Sequence, residues 1–482
     1  MHHKEPSLLV SLIPVVVLVI LLSLNVIIFA DDSSYGPNQI ALLLTSMVCA
    51  FIGVFHLRRP YKDLEKKALA SVSVSTQAIL ILMIVGSLIG IWILNGVVPT
   101  MIYYGIKLIS PEAFLPVSLV ICSVVSIATG SSWSTAGTVG IALIGIGKTL
   151  GIPEGMVAGA IVSGSYFGDK LSPLSDTTNL APAMAGSELF EHIKHMTYTT
   201  VPSILISLTI FLFLGLSYSS DTLNATQIEE VLKLIDGNFN ISLWLFLLPI
   251  IVIGLVMKKV PAVPALLIGT ILGGVFALIF QTSLITKLAG GTLGIEGIYQ
   301  VLLKTSFSGF EIVSGNAMID KLFSRGGMSG MMNTVWMILM AMIFGGMMEV
   351  TGMLTTIANS ILKLVKGTTS LVAATVGSGI FLNLTTSDQY IAIVVTGRMF
   401  KSAYAKKGLA PKNLSRAVED GSTVTSVLVP WNTCGAYFST ILGVSTLTYL
   451  PFAFFNLLSP IVSIAIAASG KTMDKLEEEV EA

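Results

Sequence analysis

The chain has 482 residues, of which 53% are hydrophobic and only 11% are charged. A soluble domain carries about 25% charged residues, so the composition excludes a soluble domain and indicates a membrane protein. The formal net charge of zero argues against a basic nucleic-acid-binding protein. Cys49, Cys122 and Cys434 are odd in number and lie in apolar runs, so we expect no disulfide framework.

Apolar runs long enough to cross or half-cross a bilayer recur along the whole chain. The first, residues 7–30, is about twice as long as the ~7–15-residue core of a secretory signal, so we expect a retained helix. The runs lie near residues 8–30, 37–55, 73–94, 114–129, 134–147, 155–187, 197–218, 241–257, 261–280, 332–360, 370–384, 389–397, 413–447 and 451–469.

Basic residues are concentrated in three polar connectors, and basic connectors of membrane proteins face the cytoplasm. The three lie at residues 56–67, at Lys258-Lys259 and at residues 398–416. Placing all three inside predicts that the amino and carboxy termini are both cytoplasmic. It also makes the pairs 114–147 and 370–397 re-entrant hairpins, which enter from the outer and the inner face respectively.

A cluster of oxygen-bearing side chains surrounds Pro173 in the middle of the long run 155–187. Proline has no N–H and clashes with the preceding turn, so a helix that passes through this point must break. A break at membrane depth persists only inside protein or beside a water-filled cavity, because lipid cannot satisfy the freed backbone groups. Freed carbonyls and hydroxyls suit a small hard cation, so this stretch predicts half of an ion site.

The two halves of the chain repeat these features in the same order. Pro173 lies nine residues after the glycine of a Gly-Ser pair, and so does Pro430. Upstream, residues 129–132 align with residues 385–388, each where a predicted hairpin turns, so that Ser132 corresponds to Asp388. This order is typical of secondary transporters built from inverted repeats with a binding site at the bilayer midplane.

We therefore predict an all-α polytopic membrane protein with two inverted repeats, one in residues 1–240 and one in residues 241–482. Each repeat contains a re-entrant hairpin followed by a proline-broken transmembrane helix. The hairpins are residues 114–147 and 370–397, and the broken helices are residues 155–187 and 413–447.

Two long motifs resemble the signature regions of a known family. They are GSYFGDKLSPLSDTTNLA at residues 164–181 and LSRAVEDGSTVTSVLVPWNTC at residues 414–434. From about residue 8 to residue 470 the chain is similar to the NhaC family of bacterial Na⁺/H⁺ antiporters. The resemblance implies a fold with paired hairpins and broken helices, and sodium–proton exchange as the function. The family also includes members that exchange malate and protons for lactate and sodium.

Four carboxylates lie inside apolar segments, where each costs about 2.5–3.5 kcal/mol on insertion scales and so requires a reason. A carboxylate flanked by hydroxyls binds a hard cation through oxygen, and desolvation favours its protonation when the cation leaves. A group that does both exchanges Na⁺ for H⁺. The candidates for this role are Asp169, Asp176, Asp388 and Glu349.

For three of these acids a purely structural role is the alternative to ion exchange. Asp169 could form a salt bridge with the adjacent Lys170. Asp176 could cap a helix that begins at Thr177, since aspartate accepts amide hydrogen bonds there. Glu349 could be the partner of a distant hydroxyl.

Neutral oxygens at the hairpin tips and at the breaks complete the predicted sodium site, although serine and threonine in membrane helices often only assist packing. Asn432 and Thr433 occupy in the second repeat the places of Ser175 and Asp176, so the second copy lacks an acid there. We expect the first half to hold the cation more strongly, with Asp388 adding charge that Ser132 does not. The predicted sodium ligands are Ser131, Ser132, Ser172, Ser175, Asp176, Thr177, Thr386, Ser387, Asp388, Asn432 and Thr433.

Two further polar groups lie near predicted helix ends. Glu419 and Asp420 with Arg416 predict an interfacial salt-bridge cluster, and a proton-entry funnel is the alternative. His192 and His195 predict a solvated connector, with a pH sensor as the alternative, because histidine titrates near neutrality.

These residues and the resemblance predict a secondary active transporter that exchanges cytoplasmic Na⁺ for external H⁺ in the bacterial cell membrane. We expect no enzymatic activity and no cofactor, with Na⁺, H⁺ and the lipid bilayer as partners; a homodimer is left open. The alternative is a Na⁺-coupled exchanger of a small carboxylate such as malate or lactate, which Lys170 could meet beside the first break.

Two other classes of protein are disfavoured. The string Thr375-Val-Gly377 resembles part of a potassium filter, but a filter needs a continuous ring of carbonyls, whereas buried carboxylates suit proton exchange. An intramembrane aspartyl protease would carry a Gly-x-Gly-Asp motif, and Tyr166 stands where its first glycine belongs.

Overall fold

The computed structural model describes residues 5–29, 33, 35–217, 225–258, 260–291, 294–313, 316, 320, 323–363 and 365–476. Lys259 and the extreme ends of the chain lie outside these residues, and the cytoplasmic location of the termini stays a prediction. The described part consists of helices joined by turns and loops, and its only β-type pairs are isolated bridges at Phe310–Arg325 and Leu409–Lys475. Eight of its helices are long and apolar enough to cross a membrane, or ten if two bent pairs each form one span. The predicted all-α polytopic membrane fold is confirmed.

The amino-terminal half contains twelve described α-helices. A π-helical turn at Ile52–His56 extends the second, and another at Ala136–Gly140 joins the seventh to the eighth. In chain order they are α1 (Leu8–Phe29), α2 (Pro37–Phe51), α3 (Tyr61–Val74), α4 (Thr76–Leu94), α5 (Val97–Leu108), α6 (Pro111–Thr129), α7 (Ser132–Thr135), α8 (Ile141–Thr149), α9 (Glu154–Leu171), α10 (Asp176–Ala185), α11 (Leu189–Gly215) and α12 (Ala225–Asn238).

The carboxy-terminal half continues with thirteen described α-helices. A π-helical turn at Glu419–Thr423 joins two of them, α21 and α22 in the numbering that follows. They are α13 (Leu247–Met257), α14 (Ala262–Phe280), α15 (Thr282–Leu288), α16 (Ile295–Ser308), α17 (Met332–Val350), α18 (Met353–Leu362), α19 (Thr368–Thr386), α20 (Gln389–Lys406), α21 (Pro411–Val418), α22 (Val424–Ser426), α23 (Thr433–Leu442), α24 (Thr446–Tyr449) and α25 (Phe454–Ser469).

The chain turns after α6, and the first long helix breaks at Pro173, where the sequence predicts. The re-entrant placement of the two hairpins stays a prediction, since α6 and α19 are both long enough to cross a membrane. Gly130 ends α6 in the left-handed region (φ +66°), a conformation that glycine adopts without steric cost. Ser131 then caps α7 by accepting a hydrogen bond from the Ser134 amide at 3.1 Å. Downstream, α9 ends at Leu171 and the chain passes Pro173 before α10 begins, with Ser175 as the cap of α10.

The second half repeats this local geometry. Ser387 ends α19 with φ +58°, and Asp388 caps α20 by accepting from the Ile391 amide at 3.0 Å. The second long helix breaks between α22 and α23, where Asn432 accepts from the Cys434 amide at 3.1 Å. Each half therefore contains a capped hairpin tip and a capped restart after a proline break.

Several contacts recur at a constant separation of 257 residues along the chain. Ser126 donates its hydroxyl to the Ser165 carbonyl at 2.6 Å, and Asn383 donates its amide to the carbonyl of Ser422. The left-handed residues Gly130 and Ser387 have the same separation. The tip alignment predicted from sequence is thus wrong by one residue, because at a separation of 257 residues Asp388 is equivalent to Ser131 and not to Ser132. The opposite orientation of the halves and their boundary at 240/241 stay predictions.

A large apolar core includes residues from α1 to α25. A second, smaller core packs α10 against helices of the second half. In the smaller core Ala181 and Ala185 pack with α19, α20 and α21. The short helix after the first break is therefore anchored in the other half of the chain. The free cysteines Cys49, Cys122 and Cys434 are buried, as expected.

The close approach of α6 and α9 depends on Gly164. A Cβ at this position would lie 2.2 Å from the Leu119 carbonyl oxygen, so we expect Gly164→Ala to destabilise the protein by about 1–3 kcal/mol. Gly377→Ala is the matched control, because a Cβ there meets nothing within 4 Å. Thermal unfolding of both variants in detergent checks this, and equal melting temperatures would contradict the close packing.

Candidate functional site

A cavity of about 780 Å³ lies where the first hairpin tip, the first helix break and the start of α20 meet. Three of the four predicted carboxylates, Asp169, Asp176 and Asp388, line it. Apolar residues of α4, α10 and α13 to α14 form the rest of its wall. The polar and aromatic lining residues are Gln77, Thr129, Ser131, Trp133, Ser134, Asp169, Ser175, Asp176, Thr177, Asp388, Gln389 and Tyr390.

Asp169 lies in the last turn of α9 and is 8% exposed. Its Oδ2 accepts two hydrogen bonds from Ser132, one from the backbone amide at 3.1 Å and one from the hydroxyl at 2.6 Å. Asp169 therefore joins the broken helix to the hairpin tip. The salt bridge considered for Asp169 is absent, because Lys170 pairs with Asp420.

Asp388 lies at the tip of the second hairpin and is 2% exposed. Its Oδ1 caps α20, whereas Oδ2 lies 3.5 Å from the Thr433 hydroxyl. The Thr433 amide donates to the Ser387 carbonyl at 2.9 Å, which fixes the tip against the start of α23. The Ser387 hydroxyl is buried without a hydrogen-bond partner among the described residues.

Asp176 is exposed in the cavity at the first position of α10. The capping role considered for it belongs to Ser175, which accepts from the Thr178 amide at 3.4 Å. The hydroxyls of Ser175 and Thr177 lie 3.2 Å apart beside it. The Asp176 carboxylate is therefore accessible to ions that enter the cavity.

The other predicted ligands divide according to the partners that their side chains have in the structure. The Ser172 hydroxyl donates to the Ile127 carbonyl at 2.8 Å, and the Thr386 hydroxyl to the Leu382 carbonyl at 2.8 Å. Asn432 donates to Asn383 at 3.2 Å and caps α23. These three side chains hold the breaks and tips together and do not line the cavity. Ser132 and Thr433 do not line it either, but their hydroxyls contact Asp169 and Asp388, which do. Ser387 precedes Asp388 and accepts a hydrogen bond from the Thr433 amide.

Glu349 is not brought to the cavity. Its carboxylate forms an ion pair with Lys67 at 2.8 Å, and the two side chains are 39% and 40% exposed. The distant partner expected for Glu349 is thus a lysine of α3 rather than a hydroxyl. Glu349 has no place in the site that the other three acids define.

Sequence reasoning missed Trp133 and Gln389, which line the cavity. Trp133 stacks on Tyr437 with ring centroids 4.1 Å apart, and the Tyr437 hydroxyl donates to the Trp133 carbonyl at 2.9 Å. Ser426 donates to Gln389 at 3.4 Å. At the 257-residue separation this pair corresponds to Asp169 and Ser132, so the corrected repeat register identifies Gln389 as a lining residue.

The cluster predicted at the membrane interface is instead buried. Glu419 and Asp420 are inaccessible to solvent, and Asp420 pairs with Lys170 of α9 rather than with Arg416. Arg416 donates to the Thr472 hydroxyl at 3.1 Å. Among the described residues, these acids therefore lie in the protein interior where the two broken helices approach each other.

The solvated connector predicted at the two histidines is wrong. His192 and His195 are buried, with His192 2.8 Å from the Ser415 hydroxyl and His195 3.1 Å from the Thr472 carbonyl. Beyond the last span, the hydrogen bond from Lys412 to Asp474, at 2.9 Å, lowers the pKa of the Asp474 carboxyl. The carboxy-terminal residues 472–474 therefore cover the start of α11 and α21.

The charged residues that line the cavity are all acidic. Three carboxylates and no lysine, arginine or histidine line it among the described residues. No group of three or more histidine, cysteine, aspartate or glutamate residues in the described ranges is placed to hold a metal ion. Carboxylate and hydroxyl oxygens are ligands of hard cations, and the lining of the cavity offers both.

A multi-pass helical membrane protein with broken helices and capped hairpin tips around an acidic cavity is a secondary ion transporter by class. The chain belongs to the Na⁺/H⁺ antiporter family, whose defining sequence pattern matches residues 164–471. This match includes both motifs on which the resemblance was based, and the predicted family is confirmed.

Three proteins named as antiporters are similar to this chain over nearly its whole length. The chain is 38% identical over 432 residues to the Na⁺/H⁺ antiporter NhaC of Alkalihalophilus pseudofirmus, covering 90% of each protein. It is 36% identical to NhaC of Bacillus subtilis, covering 89% of this chain and 91% of that protein. It is also 36% identical to the malate-2H⁺/Na⁺-lactate antiporter of Bacillus subtilis, covering 90% of each protein.

Proposed function

We propose that this protein is a secondary active transporter that exchanges cytoplasmic Na⁺ for external H⁺. The observation that carries the proposal is the convergence of Asp169, Asp176 and Asp388 on one cavity at a helix break. Asp169 and Asp388 are almost fully buried, and each has a carboxylate oxygen close to a hydroxyl group. The two NhaC relatives support the same function.

Exchange follows from competition for the same oxygens. A Na⁺ ion is a hard cation that binds carboxylate, hydroxyl and carbonyl oxygen. The Ser132 hydroxyl donates its proton to Asp169, so its own lone pairs remain available to a cation. When Na⁺ leaves, a buried carboxylate is stabilised by taking up a proton, and Na⁺ and H⁺ therefore occupy the site in alternation.

We infer that the structure has its cavity open to the cytoplasm. Val256 and Val260 line the cavity, and Lys258 lies between them in a basic connector. Basic connectors face the cytoplasm, so Na⁺ would enter from that side. The stacked pair Trp133 and Tyr437 would then close the site on the opposite side, in the cell membrane of a bacterium.

A Na⁺-coupled exchanger of small carboxylates is the second candidate. The malate–lactate relative favours it, and a cavity of about 780 Å³ has room for such an acid. The charge of the lining opposes it, because an anion would face three acids. Lys170, the one lysine beside the first break, is fully buried against Asp420.

One assay separates these functions. Purified protein in liposomes is given a Na⁺ pulse, and internal pH is followed with and without malate or lactate. We expect a Na⁺-driven pH change that needs no organic acid, since the cavity offers carboxylates but no cationic group. Choline in place of Na⁺ is the control. An absolute requirement for malate or lactate would reverse the order of the two candidates.

A further inference from the structure

A buried charge cluster lies directly behind the cavity, where the two broken helices meet. Lys170 of α9 forms an ion pair with Asp420 of the π-helical turn between α21 and α22, and both side chains are fully buried. The Thr199 hydroxyl donates to Asp420 at 3.3 Å. The pair joins the two halves of the chain, and its charges cancel.

Glu419, the neighbour of Asp420, forms no ion pair with another described residue. Its side chain is inaccessible to solvent. Its Oε2 accepts one hydrogen bond, from the Thr423 hydroxyl at 2.8 Å, and its Oε1 has no partner among the described residues. An ionised carboxylate without an ion-pair partner is disfavoured in a dry interior, and this favours the protonated form of Glu419 in this conformation.

Glu419 is electrostatically connected to the ion site. The charges that act on it most from α9 are those of Lys170 and Asp169, and Thr177 faces it from α10. Asp169 and Lys170 are adjacent in the last turn of α9, and the Thr178 hydroxyl binds the carbonyls of both at 3.1 Å. A positive charge that arrives at Asp169 therefore favours loss of the proton from Glu419.

We propose that Glu419 is a second proton-carrying carboxyl of the exchange cycle. The proposal rests on the proposed function and deepens it. Binding of one Na⁺ displaces one proton from Asp169 and one from Glu419, and both groups take up protons again after Na⁺ has left. Two protons cross for each Na⁺, so each cycle moves one net positive charge inward. The role of Lys170 is to neutralise Asp420, which leaves Glu419 as the titrating acid.

The test measures how exchange depends on membrane potential. Wild-type protein, Glu419→Gln and the matched control Glu349→Gln are reconstituted in liposomes, and Na⁺-driven proton flux is measured at potentials set by K⁺ and valinomycin. We expect wild type and Glu349→Gln to run faster when charge movement is favoured. Glu419→Gln, which resembles the protonated acid, should still exchange but lose this dependence, since it moves one proton for each Na⁺.

The outcomes distinguish this proposal from the proposed function. If wild type shows no Na⁺-driven proton flux, the proposed function fails and this proposal with it. If wild type exchanges and Glu419→Gln keeps the same voltage dependence, only the role of Glu419 is overturned.

A second measurement holds even if Glu419→Gln does not fold. Calorimetric titration of detergent-solubilised wild type with Na⁺, in two buffers of different ionisation enthalpy, counts the protons released for each Na⁺ bound. We expect close to two. A count of one or fewer would overturn the proposal.

Discussion

The substitution Asp388→Asn is expected to reduce Na⁺-driven proton movement to the level of protein-free liposomes while the protein stays folded. Asparagine caps a helix as well as aspartate does, so the hydrogen bond from the Ile391 amide to Oδ1 is retained. The amide cannot carry the negative charge that holds Na⁺, so the variant loses the cation binding proposed for the Asp388 carboxylate.

The size of the effect follows from the lost charge. At an effective dielectric constant of about 20, a cation about 4 Å from a carboxylate gains roughly 4 kcal/mol, which corresponds to close to a thousandfold in affinity. Proton flux in proteoliposomes and Na⁺ binding by calorimetry measure it. Asp63→Asn, an exposed residue of α3, is the matched control. Undiminished exchange by Asp388→Asn would remove Asp388 from the mechanism.

The local geometry of the site could be predicted because its causes are local. Pro173 cannot continue a helix, and the serine two residues later can cap a new one, so the break requires no tertiary information. Gly130 in the same way marks the first hairpin tip by the conformation that it permits. The convergence of three predicted acids on one cavity follows from these two local features and their recurrence in the second half.

The partners of the charged residues could not be predicted, because they are set by tertiary packing. Lys170 is adjacent to Asp169, yet the α-helix directs neighbouring side chains to different faces, and Lys170 meets Asp420 at the crossing of the broken helices. Glu349 lies far from Lys67 in sequence, and the packing of α3 on α17 brings them together. Spacing along one helix contains no information about either contact.

The repeat is equal in backbone geometry and unequal in charge. In the corrected register Asp169 of the first half corresponds to Ser426, and Asp388 of the second half corresponds to Ser131. One half thus places its acid on the broken helix, and the other places its acid on the hairpin tip. The two buried carboxylates reach the cavity from different kinds of element, so a motion that separates tips from broken helices would change their mutual distance.

Removing one member of the Lys170–Asp420 pair is expected to destabilise the protein more than any other substitution of a charged residue considered above. Asp420→Asn leaves the ammonium group of Lys170 buried without its counter-ion, and breaking a buried pair in this way costs about 3–5 kcal/mol. The double variant Lys170→Met/Asp420→Leu removes both charges and should recover most of this loss. Thermal unfolding in detergent compares the three proteins. Lys148→Met is the control, since Lys148 and Glu154 form a partly exposed pair 2.6 Å apart and such pairs contribute about 0–1 kcal/mol.

The double variant also tests why the pair is present. If its two charges serve only to neutralise each other, Lys170→Met/Asp420→Leu should retain Na⁺-driven exchange and its voltage dependence, because Glu419 and Asp169, the two proton-carrying groups, are still present. Recovery of the fold together with loss of exchange would instead show that Lys170 or Asp420 takes part in transport directly. Lys170–Asp420 is the only ion pair that joins the two broken helices within the described residues. A structural role predicts that the double variant transports normally, and a direct role in proton transfer predicts that it does not. The variant therefore decides between the two roles in a protein of near-normal stability.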